Sequence, residues 1–369
     1  MRIIICGNTF WSLKNFREEL IKKLSKKSTI YLISDGSKKN YFKFKKKIST
    51  ININFNNKID YLIIFKEIKN LMLIYYQYHK IKPDVVLSFN IKPVIYNTII
   101  SFFFPKTKVI NTITGSGRVF QKKHFLYKLV SKIYIFIIRK SNYIFFQNKF
   151  DKNLFSKNNL QIEGKSKIVN GSGVNLLKYN NTNSDKLNCN FLFASRLMHI
   201  KGILYYLKAA EIIKKKFGKQ VKFYVAGDLK DKDGDYLSSK ELNYFKKSKI
   251  IEYLGFQSDI RKILKKANCI VLPTKLNEGI PRVLIEAAAS SKFLISTDRP
   301  GCNTIIRDNY NGYLIKNINE KNLAKKMLKY LSLTNSQKRK FYNNSKNISL
   351  MFDEKNIANI YFNQINKIK

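Results

Sequence analysis

The chain has 369 residues, 44% of them apolar, with 70 Lys and Arg against 24 Asp and Glu and a formal net charge of +46. That length and apolar content suffice for two domains with buried cores and exclude a disordered chain. Cys6, Cys189, Cys269 and Cys302 stand far apart, with no CxxC pair and no His cluster beside them, so buried, reduced thiols of a cytoplasmic protein are the simplest account.

The opening MRIIICGN is a short apolar run followed by Gly and polar residues, which reads as a buried first strand and not as a signal peptide. Further short runs rich in Ile and Val predict strands at Ile3 to Cys6, Thr29 to Ile33, Val85 to Phe89, Lys108 to Asn111, Tyr143 to Gln147 and Lys167 to Asn170. A second series follows at Asn190 to Ala194, Lys222 to Ala226, Ile250 to Leu254, Cys269 to Leu272, Phe293 to Thr297 and Gly312 to Ile315. Helical stretches alternate with them, among them Asn15 to Lys26, Gly202 to Phe217, Asp259 to Lys266, Pro281 to Ser290 and Lys321 to Leu331. The alternation is that of βαβ units on parallel sheets. The polar segment NLLKYNNTNSDKLNCN, residues 175 to 190, separates the series, so the predicted domains are 1–175, 176–345 and a helical tail at 346–369. The expected fold class is α/β, two doubly wound, Rossmann-like domains facing one another across a cleft, with ligands at the carboxyl ends of the strands.

The Lys-rich composition, with abundant Asn and Ile, is what an AT-rich genome favours at tolerant positions. The surface it produces attracts anionic membranes, nucleic acid or phosphorylated substrates. The longest apolar runs, VIYNTIISFFF (94 to 104) and LVSKIYIFII (129 to 138), are too short or too interrupted by charge to cross a bilayer of ~30 Å. Lys122, Lys123, Lys128, Lys132, Arg139 and Lys140 surround aromatic and aliphatic residues, a mix that suits either an interfacial helix or a core helix with a solvated basic edge. Only ten of the basic residues are Arg, and Arg is kept where a planar fork for phosphate or carboxylate is needed. No RNA- or DNA-binding motif accompanies the dispersed Lys, so specific nucleic acid is not an expected partner.

Four stretches carry chemistry. In NEGIPRVLIEAAA (277 to 289), Glu278 and Gly279-Ile280 precede a helix opened by Pro281, and Glu286 lies more than one turn inside it. The free amides and helix dipole suit a diphosphate, and the two acids can accept hydrogen bonds from different parts of one ligand. In FLFASRLMHIKG (191 to 202), Arg196 and Lys201 follow a strand and can both reach a phosphate that gains charge as a bond breaks. His199 between them reads as incidental, and His79 and His124 have no identifiable partner. In CGNTFWSLKNFREEL (6 to 20), Gly7 and Asn8 end the first strand ahead of Asn15 and Arg17. GN without a following GxxG does not read as NAD binding. NTITGSGRVF (111 to 120) is a Gly-rich loop with Thr112, Thr114, Gly115 and Ser116, and it lacks the Lys-Ser/Thr ending of a P-loop.

These stretches, with NGSGVN (170 to 175), AGD (226 to 228), YLGFQSDI (253 to 260) and TDRPGCN (297 to 303), resemble glycosyltransferase family 4, a retaining family of GT-B fold. WSLKNFR and TITGSG resemble the branch that extends polyprenyl-diphosphate-linked glycans for bacterial O-antigen, capsule or glycoprotein oligosaccharides. The resemblance implies transfer of a hexose or N-acetylhexosamine from a UDP-sugar to a lipid-linked saccharide, without a metal or other cofactor. The place of action would be the inner face of the cytoplasmic membrane, with an anionic membrane surface as a partner. It implies that Glu278 binds the donor sugar beside the amides of Gly279 and Ile280, and that Glu286 holds the ribose. Arg196 and Lys201 would neutralise the leaving diphosphate, and Gly7 and Asn8 would lie near the reacting centre. Asn15, Arg17, Thr114, Gly115 and Arg282 are assigned to acceptor or phosphate contacts. Three positions depart from the family pattern: Thr114 stands where many members have His, Ser291-Lys292-Phe293 replaces Gly-x-Pro, and Asn175 replaces the Asp of the NGVD-like turn. Two other readings are a UDP-sugar 2-epimerase of the same fold, which would be expected to present acids and a His in its cleft, and a basic nucleic-acid-binding protein.

Overall fold

The computed structural model describes residues 1–36, 47–55, 63–116, 120, 125–157, 162–179, 189–229 and 235–368. The chain forms two compact units, Met1–Gly173 with Glu354–Lys369, and Val174–Asp353.

The first unit runs β1 (Arg2–Thr9), α1 (Phe10–Ser25), β2 (Thr29–Asp35), β3 (Ile48–Asn52), α2 (Ile63–Ile81), β4 (Val85–Phe89), α3 (Ile91–Ser101), β5 (Lys108–Ile113), α4 (Phe125–Ile138), β6 (Tyr143–Phe146), α5 (Lys149–Lys157) and β7 (Ser166–Ile168). Its strands pair in the order β3-β2-β1-β4-β5-β6-β7, all parallel. The unbroken IIIC of β1 is apolar because both faces of the sheet are covered. Ile3 and Ile5 join the cluster beneath α1, whereas Ile4 and Cys6 join Ile74, Tyr78, Tyr96 and Ile100 of α2 and α3. Thr9 caps α1 in a reciprocal box with Ser12, which starts the helix at Phe10, five residues before the sequence pattern does. β3 has no counterpart among the expected strands. Among the described residues it is a half-exposed edge strand paired to β2 alone, and its short ISTIN run is compositionally like its surroundings.

The second unit runs β8 (Phe191–Ala194), α6 (Ile203–Phe217), β9 (Phe223–Ala226), α7 (Ser239–Lys247), β10 (Glu252–Tyr253), α8 (Ile260–Leu264), β11 (Cys269–Leu272), α9 (Arg282–Ala289), β12 (Phe293–Thr297), α10 (Cys302–Ile305), β13 (Gly312–Ile315), α11 (Glu320–Leu331) and α12 (Asn335–Ser349). Its parallel sheet is ordered β10-β9-β8-β11-β12-β13. Both orders reverse direction from their first strand, the signature of doubly wound α/β folds. The cysteines are free, and Cys6, Cys269 and Cys302 are buried.

The predicted tail at 346–369 is not one element. α12 ends at Ser349 and packs on α9 and β12, whereas α13 (Glu354–Lys367) lies against α1 of the first unit. The chain passes between units at two adjacent points. Val174 N donates to Phe352 O at 2.9 Å, and a Cβ on Gly173, at φ +69°, would lie 2.7 Å from the Glu354 Cα. α13 is anchored by Tyr361, 1% exposed, whose hydroxyl pairs with Thr112 Oγ1 at 3.0 Å and whose ring is 4.3 Å from that of Phe145.

Ser291, just after α9, sits at φ +54°, a conformation that costs an L-residue about 1 kcal/mol or more. Lys292 beside it is 2% exposed, and burial lowers its pKa to about 8. Its folded pKa is below the unfolded value, so its charge disfavours folding at neutral pH and the loss is relieved as pH rises from about 8.

Tyr361→Ala is expected to lower stability by about 3–5 kcal/mol and Tyr361→Phe by about 1 kcal/mol, measured by urea unfolding. Ser291→Gly is expected to raise the urea midpoint, by about 1 kcal/mol in stability, because glycine adopts the same φ without strain.

Candidate functional site

In the second unit the strand order reverses between β8 and β11, and the loops leaving their carboxyl ends carry the charged residues. Parallel strands all end on one edge, and at a reversal the following connections diverge and leave a crevice. Lys275 N donates to Ile200 O at 2.8 Å, tying the two loops together. Gly202, at φ +83°, packs onto the Pro273 carbonyl, where any Cβ would overlap it.

Arg196 is exposed, and no described side chain is in hydrogen-bond or ion-pair contact with its guanidinium. Lys201, closing the turn His199–Lys201, is 7% exposed, and its ammonium lies 2.5 Å from Glu278 Oε2. The other Glu278 oxygen accepts from Thr274 Oγ1 at 3.1 Å. Thr274, wholly buried, also receives Thr297 Oγ1 on its carbonyl from the end of β12. Glu278 is thus held at both oxygens by residues from two strand ends. A buried pair of this kind fixes geometry more than it adds stability, because desolvation offsets most of the Coulombic gain.

Gly279 and Ile280 are buried next in the loop, and the Gly279 carbonyl abuts Gly301 at φ +87°, a position with no room for a Cβ. Asn277 Oδ1 is buried without a hydrogen-bond partner among the described residues, so this loop still holds an oxygen that needs a donor. Pro281 is the N-cap of α9, at φ −60° and ψ 119°, and not its first helical residue. On α9, Glu286 Oε1 accepts from Arg282 Nε at 2.8 Å and from Tyr179 OH at 3.0 Å. Tyr179 lies in the turn Leu176–Tyr179, and burial together with the Glu286 charge pushes its pKa up, so it stays a donor. Cys302 is pushed up to about 12, first by burial and then by the Glu278 charge, which excludes it as a thiolate nucleophile.

In the first unit the reversal lies between β1 and β4. Gly7 ends β1 tightly, since a Cβ there would lie 2.7 Å from Leu13 Cδ2. Asn8 N donates to Asn90 Oδ1 at 3.4 Å, and Asn90 Nδ2 donates to Thr114 Oγ1 at 3.5 Å. Asn90 has φ +75° and ψ 160°, a region normally left to glycine. Asn8 Oδ1 is buried without a hydrogen-bond partner among the described residues. Gly115, at φ +129°, leads to Ser116, whose amide donates to Asp151 Oδ1 at 3.1 Å. Asp151 is wholly buried, and burial raises its pKa despite the donors around it.

Of the residues singled out in the sequence, Lys201 and Glu278 meet directly, Arg282 and Glu286 form a second pair, and Gly7, Asn8 and Thr114 gather through Asn90. Arg17 is buried, its guanidinium 4.1 Å from the Phe89 ring centroid, packed between α1 and α13. Asn15 donates to Trp11 O at 2.9 Å within α1. Gly117 and Arg118 of the Gly-rich loop, and His124, lie outside the described residues. Asn90, Thr274 and Tyr179 are absent from the sequence reading. A polar residue at a strand's carboxyl end could have pointed to the first two, but nothing in the linker marks Tyr179. Among the described residues no three His, Cys, Asp or Glu side chains group as a metal ion would require.

Two parallel sheets of this order, with paired acids at the reversal of the second, define an α/β protein of GT-B fold. Residues 180–348 match the family model of glycosyl transferases group 1. The chain is 29% identical over 223 residues to the N,N'-diacetylbacillosaminyl-diphospho-undecaprenol alpha-1,3-N-acetylgalactosaminyltransferase of Campylobacter jejuni, covering 56% of this chain and 55% of that protein. It is 26% identical over 269 residues to the UDP-Gal:alpha-D-GlcNAc-diphosphoundecaprenol alpha-1,3-galactosyltransferase of Escherichia coli, covering 69% and 67%. The alignment thus spans about half the length of the Campylobacter relative. In structure the chain is similar to Anabaena Alr3699/HepE in complex with UDP-glucose, with a TM-score of 0.79, 15% identity and full coverage of both chains.

Gly301→Ala is expected to lower the thermal midpoint far more than Gly218→Ala. Both alanines would take a positive φ, but only the first would force its Cβ into the 278–279 backbone, whereas nothing lies within 4 Å of the second.

Proposed function

We propose that the protein is a retaining glycosyltransferase of family 4 that moves a sugar, a hexose or N-acetylhexosamine, from a UDP-sugar to a polyprenyl-diphosphate-linked saccharide. The observation that carries this reading is the Lys201–Glu278 pair at the β8/β11 reversal, inside the region matching glycosyl transferases group 1. The names of the Campylobacter and Escherichia relatives support the lipid-diphosphate acceptor, and the UDP-glucose complex of the structural neighbour supports the donor class.

In this reading Glu278, aligned by Lys201 and Thr274, accepts hydrogen bonds from the donor sugar's hydroxyls, with Gly279 and Ile280 presenting backbone amides beside it. Glu286, oriented by Arg282 and Tyr179, holds the ribose. Arg196, with no described side chain holding it, is ready to meet the diphosphate together with Lys201. The bond from the anomeric carbon to the UDP oxygen breaks and the acceptor hydroxyl attacks on the same face. The departing phosphate oxygen takes the acceptor's proton, while the cations stabilise the charge that develops on it. Cationic side chains do here what a metal ion does elsewhere, so transfer is expected to survive a chelator. In this reading the protein works at the inner face of the cytoplasmic membrane, where it meets its lipid-linked acceptor. No helix among the described residues is long and apolar enough to cross one.

The test is to incubate the protein with a panel of UDP-sugars and a short prenyl-diphosphate glycan, then read product mass and anomeric configuration. Release of an epimerised free UDP-sugar, or an inverted product, would overturn the reading. Arg196→Ala is expected to lower kcat by about 10²- to 10³-fold with an unchanged thermal midpoint, because the side chain is exposed. Glu278→Gln should lower turnover comparably, and near-normal rates in either variant would remove these residues from the site.

A further inference from the structure

The first unit carries an apolar surface that its own fold does not use. α2 is apolar on two sides. Ile74, Tyr78 and Ile81 face the sheet, while Phe65, Ile68, Met72, Tyr75 and Tyr76 are exposed, Met72 by 67%. A soluble helix normally shows one apolar stripe and a polar outer face. α3 packs beside α2, with Lys92 bridging to Glu67 at 2.7 Å, and leads directly into Phe102 and Phe103, the latter 66% exposed. Between the two helices runs a groove of about 770 Å³ lined by Leu71, Met72, Tyr75, Tyr76, Ile99 and Phe103. α4 packs against α3 and continues the surface with Val130, Ile133 and Phe136, spaced three apart and exposed. Its end meets that of α3, the Lys140 ammonium standing 5.3 Å from the Phe102 ring centroid.

The charge around this surface is predominantly positive. Glu67, already paired, is the single acid in the sequences of the three helices, whereas Lys69, Lys80, Lys106, Lys132, Arg139 and Lys140 lie on or beside them and are exposed. Apolar and aromatic side chains spread over three helices, ringed by cations and without a directed polar pocket, match hydrocarbon below anionic headgroups. Exposed tyrosines, apolar in body and polar at the tip, suit the boundary between the two.

We propose that the outer face of α2, α3 and α4 docks the protein on an anionic lipid bilayer, with Met72, Tyr76, Phe103 and Phe136 entering the acyl region and the α2–α3 groove receiving a lipid chain. This deepens the reading of a lipid-linked acceptor by naming the surface that meets the membrane, and it can be tested without donor or acceptor.

The experiment is cosedimentation of the full chain with vesicles of phosphatidylcholine alone or mixed equally with phosphatidylglycerol. Wild-type protein is expected to pellet with the mixed vesicles. The double variant Met72→Glu, Phe103→Glu is expected to bind them about tenfold or more weakly. Ile212→Glu, the same kind of change at an exposed site on α6 of the second unit, should bind within about twofold of wild type once its smaller charge change is allowed for. Circular dichroism checks that each variant is folded. Undiminished binding by the folded double variant would overturn the proposal, since dispersed lysines would then account for attachment. A self-association of the wild type that the same variant abolishes would overturn it too, giving the face to a second copy of the chain. Vesicle binding with no sugar transfer would count against the proposed function alone.

Discussion

Both units depend on one constraint, that every strand of a sheet runs the same way. Parallel pairing sends all the carboxyl ends to one edge, and the right-handed crossovers needed to return the chain put helices on both faces. Interior strands covered on both faces must then be largely apolar, as Ile3–Cys6 of β1, β8 and β11 are, with Ser88 the one polar residue of β4. Polar chemistry is pushed to the loops at the edge. Where the strand order turns back, between β1 and β4 and between β8 and β11, neighbouring loops diverge and leave room for a ligand. Asn8 with Asn90 lies at the first of these points, and Lys201 with Glu278 at the second.

At the second point each acid is matched to a cation and a hydroxyl. Glu278 has Lys201 and Thr274, and Glu286 has Arg282 and Tyr179. In a chain with 46 more cations than acids, an unneutralised lysine as buried as Lys201 would be costly, and Glu278 removes that cost while its orientation is set. The glycines of this region serve approach distance. Gly202 brings the β8 loop onto Pro273, and Gly301 lets the chain after β12 press on the backbone of residue 279. The loop that carries Glu278 is therefore shaped by three strand ends, although it is one short run in sequence.

The first unit separates two uses of apolar residues. Those of α1 and α13 are consumed by the sheet, with Tyr361 inserted against Phe145 and Arg17 laid over Phe89. Those on the outer side of α2, α3 and α4 are left in contact with solvent beside a row of lysines. Composition alone does not distinguish the two sets, because Ile, Phe and Tyr fill both.

The alternation of short β-branched runs with helical periods made two parallel sheets legible in the sequence, because hydrophobic period is a local property. The motifs around Arg196, Lys201, Glu278 and Glu286 were legible for a similar reason, each being a contiguous stretch at a strand end. β3 was not, since an edge strand buried on little of its surface carries no distinctive pattern, and neither was the return of α13 to the first sheet, since an amphipathic helix does not record which surface it covers. The sequence by itself therefore determined most of the strands and the residue types of the candidate site. Only the tertiary structure decided the pairings, Lys201 to Glu278, Tyr179 to Glu286 and Asn90 between Asn8 and Thr114. These join residues 77, 107 and between 24 and 82 positions apart, and the spatial neighbours of a side chain across such distances are set by strand order and packing.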